Sequence, residues 1–229
     1  MLTLPRDLTS ALISRCHTEN VTVNSALITA FALAQCDIQG RKQDYLRKAL
    51  VAINVRDLFR SPEGENFGLL AASIEVTLPA GKGSFWNLAQ EFNTEMRNLL
   101  SNQRVLNYIA PLDYLDLTLL DAVYFVAYGT LKNKTVLSLK RRILTPTDRP
   151  KRSMDTTNLG IFNIGKNPNL KTIFFVPILS TNYEKTIGIV TIGGEMNISI
   201  MHDRSRISSD TIDDFKQRII SYVKGAVEG

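Results

Sequence analysis

Gly193-Gly-Glu-Met-Asn-Ile-Ser-Ile-Met-His-Asp-Arg-Ser-Arg-Ile-Ser-Ser-Asp-Thr-Ile-Asp-Asp-Phe215 reads as a strand, a polar turn and a capped helix in succession. Met196, Ile198, Ile200 and His202 share one side of a period-two pattern, with Asn197, Ser199 and Asp203 on the other, which predicts a strand with one buried face. Ser208 or Ser209 then caps a helix whose first turn carries Asp210, Asp213 and Asp214, acids favoured by the positive dipole end. Ile212, Phe215, Ile219, Val223 and Val227 recur at helical spacing, so that helix is expected to pack on the sheet.

Upstream, the same reasoning predicts a short helix over 8–17 and a second one capped by Thr22 and running to about Gln39. The second is apolar on nearly every side from Ala26 to Ala34, with Leu27, Phe31, Ala34 and Ile38 on one stripe, which marks a central helix. Residues 46–55 and 69–78 are rich in β-branched side chains and flank the turn chemistry of 61–66, predicting neighbouring strands. Ser84 caps an amphipathic helix with Phe85, Leu88, Ala89, Phe92, Met96, Leu99 and Leu100 on its buried side. The 106–144 stretch is mostly helical in pattern, broken near Pro111 and Gly129, and 145–153 is a basic loop. Strands are expected at 154–160, 171–179 and 185–193, ahead of the final strand and helix. The order predicts an α/β fold, a layered mixed β-sheet packed with helices, as a single unit over residues 1–229. Within it, 1–45 is an opening helical segment, 46–144 a strand pair plus helices, and 145–229 strands and a closing helix.

Four segments resemble, in order, the superfamily that joins nonribosomal-peptide condensation domains, alcohol acetyltransferases, polyketide-associated acyltransferases and chloramphenicol-acetyltransferase-like enzymes. They are Thr22-Val-Asn-Ser-Ala-Leu-Ile-Thr-Ala-Phe, Val51-Ala-Ile-Asn-Val-Arg56 with Glu65-Asn-Phe-Gly68, Thr156-Thr-Asn-Leu-Gly160, and the closing stretch quoted above. The resemblance covers residues 6–226 but only the C-terminal lobe of such a two-lobed fold. It implies acyl transfer from a thioester to a hydroxyl or amine, with a general-base histidine in an H-H-x-x-x-D-G motif. That motif is not in this chain: neither His17 nor His202 is followed by Asp-Gly at the required distance. No catalytic residue is therefore assigned, and the base is expected on an N-terminal lobe in the same or another chain. The isolated chain is expected to be inactive.

Within the resemblance, Thr157 and Asn158 lie on the strand that faces the substrate tunnel, where a hydroxyl or amide could meet a developing oxyanion. The bland alternative is a strand whose polar side chains satisfy the nearby backbone. Lys140, Arg141 and Arg142 are read as contacts for the phosphates of coenzyme A or for a phosphopantetheine-bearing acyl carrier protein, with a solvated helix end as the alternative. No cofactor is expected to bind tightly. Asn54 and Arg56 are read as structural, tying the turn at 65–68.

Charge is local. Eight basic residues and one acid lie between Lys132 and Arg152, which exceeds the whole-chain net charge of +5, so the remainder is slightly acidic. Without interleaved aromatic residues this is not a nucleic-acid platform. The longest apolar runs are too short to span a bilayer, and a cytoplasmic protein is expected. Cys16 and Cys36 are expected to be free thiols, and two cysteines and two histidines lack metal-ligand spacing. Gly81-Lys-Gly-Ser84 has the wrong order for a phosphate-cradling loop. The competing functional class is a non-catalytic binding or interaction protein that keeps this lobe's fold, whose apolar interface, uncovered without a partner lobe, predicts self-association.

Overall fold

The computed structural model describes residues 1–39, 47–55, 71–79, 83–101, 152–163, 171–179 and 183–229, with helical positions at 118, 121, 122, 125, 126, 134, 135, 137 and 138. In chain order the elements are β1 (Leu2–Leu4), α1 (Arg6–Thr18), α2 (Val23–Gln39), β2 (Lys48–Asn54), β3 (Ala71–Thr77), α3 (Phe85–Ser101), β4 (Arg152–Ile161), β5 (Tyr183–Ile192), β6 (Glu195–His202) and α4 (Ser209–Glu228). The strands form one six-stranded sheet in the order β1-β6-β5-β4-β2-β3. β4 runs parallel to β2 and β5, and the remaining pairs are antiparallel, which makes the sheet mixed.

Helices α2, α3 and α4 start where the sequence supplies caps, whereas α1 follows Pro5 without a side-chain cap. Thr22 Oγ1 accepts the Ser25 amide at 3.1 Å, and Ser208 Oγ accepts the Thr211 amide at 3.1 Å, each satisfying a donor that the first helical turn leaves unpaired. Asn93 of α3 reinforces the first cap by accepting from the Thr22 amide and the Ser25 hydroxyl. Only Asp210 lies in the first turn of α4. Asp213 and Asp214 sit further in and pair with Lys216 and Arg218, so their contribution is to side-chain ion pairs.

The core lies between the helices and one sheet face. Met154, Ile187, Ile189, Ile198 and Ile200 from the sheet are buried with Leu27, Ile28 and Phe31 of α2 and Ile212, Phe215 and Ile219 of α4. The Phe31 and Phe215 rings meet at a centroid distance of 6.5 Å. Trp86 Nε1 donates to the Ala226 carbonyl at 3.0 Å, fixing α3 to the last turns of α4. On α3 the apolar side expected from its periodicity is buried through Met96, whereas Leu100 is exposed because the helix end passes beyond the core.

Two expectations about the other sheet face are corrected together. Residues 171–179 alternate as a strand would, but they form no part of the sheet. They cross its outer face as a strap: Ser199 Oγ donates to the Phe175 carbonyl, and Asn197 Nδ2 donates to Thr172 Oγ1 at 3.2 Å. Pro177 has no amide hydrogen to contribute to a ladder. Under this strap β6 is not buried on one side only, since Asn197 and Ser199 are as enclosed as Ile198. Gly188 makes the crossing possible. A Cβ there would lie 2.6 Å from Pro177 Cδ and 2.8 Å from Ser199 Oγ, and would collide with the Phe175 carbonyl. β5, covered on both faces, is buried along all ten residues.

Candidate functional site

The three parallel strands β2, β4 and β5 end at one edge of the sheet, the place where open α/β sheets take ligands. Asn54 closes β2 at this edge, and Asn158 to Ile161 close β4. Asn24 brings the first turn of α2 to the same place, because Asn158 Nδ2 donates to Asn24 Oδ1 at 3.4 Å.

Asn158 and Gly160 shape the end of β4. Between Asn158 and Ile161 three steps along β4 oppose two along β5, which is a bulge. Gly160 sits in it at φ +72°, and its amide donates to Asn158 Oδ1 at 2.8 Å. The Thr-Asn-Leu-Gly spacing thus has a local cause: the asparagine amide closes the turn, and the glycine takes a backbone conformation that side chains disfavour. Beyond the bulge the chain turns its apolar side chains outward. Leu159 and Phe162 are half exposed, and Ile161 is 75% exposed although it still pairs with β5.

Thr157 points to the outer face. It is half-buried and stands in register with Gly188, so it borders the line along which the strap crosses. Thr156, on the helix face, is buried and donates its hydroxyl to the Leu50 carbonyl. Of the two residues singled out from sequence, Asn158 is engaged inside the chain at both ends of its amide, and no such bond occupies the Thr157 hydroxyl among the described residues. Lys140, Arg141, Arg142, Arg56 and the 65–68 turn lie outside the described residues.

Asp155 is the functional-type residue that motif reading passed over. It sits two positions before Thr157, on the same face, and burial pushes its carboxyl up while the Thr156 amide and Arg152 oppose the shift. The signal available in the sequence was the alternate placing of Asp155 and Thr157 along one strand. Nearby, Arg152 holds Glu75 through Nε at 2.6 Å, and its guanidinium lies 5.8 Å from the Tyr183 ring centre. His202 is far from this edge. It pairs with Lys185, which pairs with Met154, four residues before Asn158 on β4, a separation of roughly 13 Å along the strand. Cys16 is buried and Cys36 half-buried, and the two form no disulfide. No group of metal-ligating side chains occurs among the described residues, and no single described helix is long and apolar enough to cross a membrane.

No family model matches the sequence, and no curated protein matches it. Solved structures do. The epimerization domain from the third module of tyrocidine synthetase B aligns with 99% of this chain at 15% identity and a TM-score of 0.58, over 47% of its own length. The condensation domain that mediates chain release from the enacyloxin polyketide synthase aligns with 99% at 13% identity and a TM-score of 0.56, over 40% of its chain. The PapA2 acyl transferase aligns with 100% at 11% identity and a TM-score of 0.56, over 44% of its chain. The chain therefore has the condensation and acyltransferase type of fold, as one lobe of it, and spans about half or less of the length of each structure it matches.

Proposed function

We propose that this chain is the C-terminal lobe of a two-lobed acyltransferase that moves an acyl group from a thioester to a hydroxyl or amine. The observation that carries the reading is the alignment of nearly the whole chain with just under half of proteins that include an acyl transferase and a condensation domain. One neighbour is an epimerization domain, so the fold alone does not choose the chemistry. The choice rests on the resemblance in the four sequence segments.

In this reading the edge at Thr157 and Asn158 is one wall of the donor tunnel. The bulge at Gly160 keeps that wall rigid, and the Thr157 hydroxyl is the donor offered to substrate. His202 is not near it, and the proton acceptor comes from the H-H-x-x-x-D-G motif of a partner lobe. The exposed apolar side chains at Leu159, Ile161 and Phe162, and at Phe174, Val176 and Ile178 on the strap, form the surface that lobe covers. The donor is an acyl-coenzyme A or an acyl carrier protein, met at its phosphates by Lys140, Arg141 and Arg142, and the reaction takes place in the cytoplasm.

Consumption of an acyl thioester by the chain mixed with a separately expressed N-terminal lobe tests this. Turnover that needs both lobes and falls in Thr157→Val supports it. A second reading, a non-catalytic binding protein, draws on the engagement of the Asn158 amide within the chain, and predicts association through the apolar surface with no turnover in any combination.

A further inference from the structure

Lys185 is the most completely enclosed charge among the described residues. Its side chain is 2% exposed, in the middle of a sheet face covered by helices. Nζ donates to Gln35 Oε1 of α2, lies 3.4 Å from both the Ser153 carbonyl of β4 and Glu184 Oε2 of its own strand, and sits 5.2 Å from the centre of the Phe215 ring of α4. Gln35 and Gln39 also donate to Glu184 Oε2, so α2 is tied to the start of β5 through one polar knot. On the neighbouring strand the residue paired with Lys185 is His202, the last of β6. His202 Nε2 is buried and has no hydrogen-bond partner.

We propose that the His202 end of β6, set in register beside the buried Lys185 of β5, is a proton-sensitive joint between β6 and the start of α4, closed while His202 is neutral and loosened when it takes up a proton. A protonated imidazole carries hydrogen on both nitrogens, and the buried Nε2 has no acceptor to offer it. The added charge would also be poorly answered. Arg204, Lys216 and Lys185 face His202 with like charge, and the carboxylates of Asp203 and, on α4, Asp213 oppose them. From α2 the neutral Gln35 amide faces Lys185, and from β4 a backbone carbonyl. Burial and the three basic neighbours accordingly hold His202 below the usual histidine value of 6.5. The element that loosens is the end of β6 with the 203–208 turn, which seats the buried Ile207 and leads into α4.

The test uses the full chain and reads the His202 ring by NMR while pH is lowered from 8 to 5, alongside the urea midpoint at pH 7.5 and 5.5. The expected result is a His202 transition below 6.5 that moves up in Lys185→Met, and an acid-side loss of stability cut by about half or more in His202→Gln. Carboxylates held low by their partners, such as Glu75, titrate below this window and do not confuse it. A His202 transition at or above 6.5, or a His202→Gln chain with the full acid-side loss, overturns the proposal. Should Lys185→Met fail to fold, the His202→Gln comparison decides alone.

Discussion

Replacing Gly188 with alanine is expected to lift residues 171–179 off the outer face of the sheet. The added methyl would meet the Phe175 carbonyl and stand 2.6 Å from Pro177 Cδ, both on the strap, and 2.8 Å from Ser199 Oγ beneath it. A hydroxyl can rotate away, but the backbone carbonyl and the proline ring cannot, so the strap has to move. If it stayed, the overpacking alone would cost about 1–3 kcal/mol. If it moves, Ser199 loses the Phe175 carbonyl and keeps a long contact of 3.4 Å to the Gly188 carbonyl, while Asn197 loses Thr172. Two weakened buried polar groups bring the expected destabilisation to about 2–4 kcal/mol. Urea denaturation measures it, and chymotrypsin cleavage at Phe174 and Phe175 reports the strap directly. Gly225→Ala is the control: nothing lies within 4 Å of its added Cβ on α4, so it should be neutral or stabilising by about 0.5–1 kcal/mol. A Gly188→Ala chain within about 0.5 kcal/mol of the parent, cleaved at the same rate, would refute the strap.

Other expected outcomes concern the β4 bulge and alkaline stability. Asn158→Ala removes the acceptor for the Gly160 amide and the link to Asn24, and should cost about 1–2 kcal/mol, read as a lower urea midpoint. An unchanged midpoint would mean that the bulge holds itself. Burial lowers Lys185 to about 8, against 10.5 when unfolded. Below pH 8 both states are protonated and the folded chain bears the full cost of the buried charge; between 8 and 10.5 that cost is relieved and stability rises. Cys16 works the other way, since burial raises its thiol from 9.0 to about 11, so the unfolded thiol ionises first and stability falls from pH 9 upward. Lys185→Met should therefore abolish the rise between pH 8 and 10.5 and leave only the fall above pH 9, while at pH 7 it takes the cation away from the buried Glu184 carboxylate and lowers the midpoint. A midpoint for Lys185→Met that still rises between pH 8 and 9 would contradict this assignment.

The elements most legible in the sequence were those whose signals are local. Thr22, Ser84 and Ser208 mark helix starts, and the spacing of Ile212, Phe215, Ile219 and Val223 predicts the buried side of α4. Residues 171–179 misled because alternation reports two unlike sides, one turned to the protein and one to solvent, and a strap across a sheet has those as surely as a strand within it. What distinguishes them is where the backbone donors go, which depends on Gly188 and Ser199, both distant in the chain. Lys185 was illegible for the same reason. Tyr-Glu-Lys-Thr looks like a solvated strand end until Gln35, 150 residues away, supplies the acceptor that allows burial. At the candidate site, Asn158 and Gly160 were visible as a motif. That their spacing builds a bulge was not, because the extra residue exists only relative to β5.

The central claim is that this chain supplies one lobe of an acyl-transfer enzyme and that the proton acceptor is brought by another. The most direct measurement is release of free thiol from an acyl thioester, in the presence of a hydroxyl or amine acceptor, by this chain alone and with an H-H-x-x-x-D-G lobe added. The account predicts no release above background from the chain alone, and turnover on mixing that disappears when the second histidine of the motif is replaced by alanine. Turnover by the chain alone would contradict it.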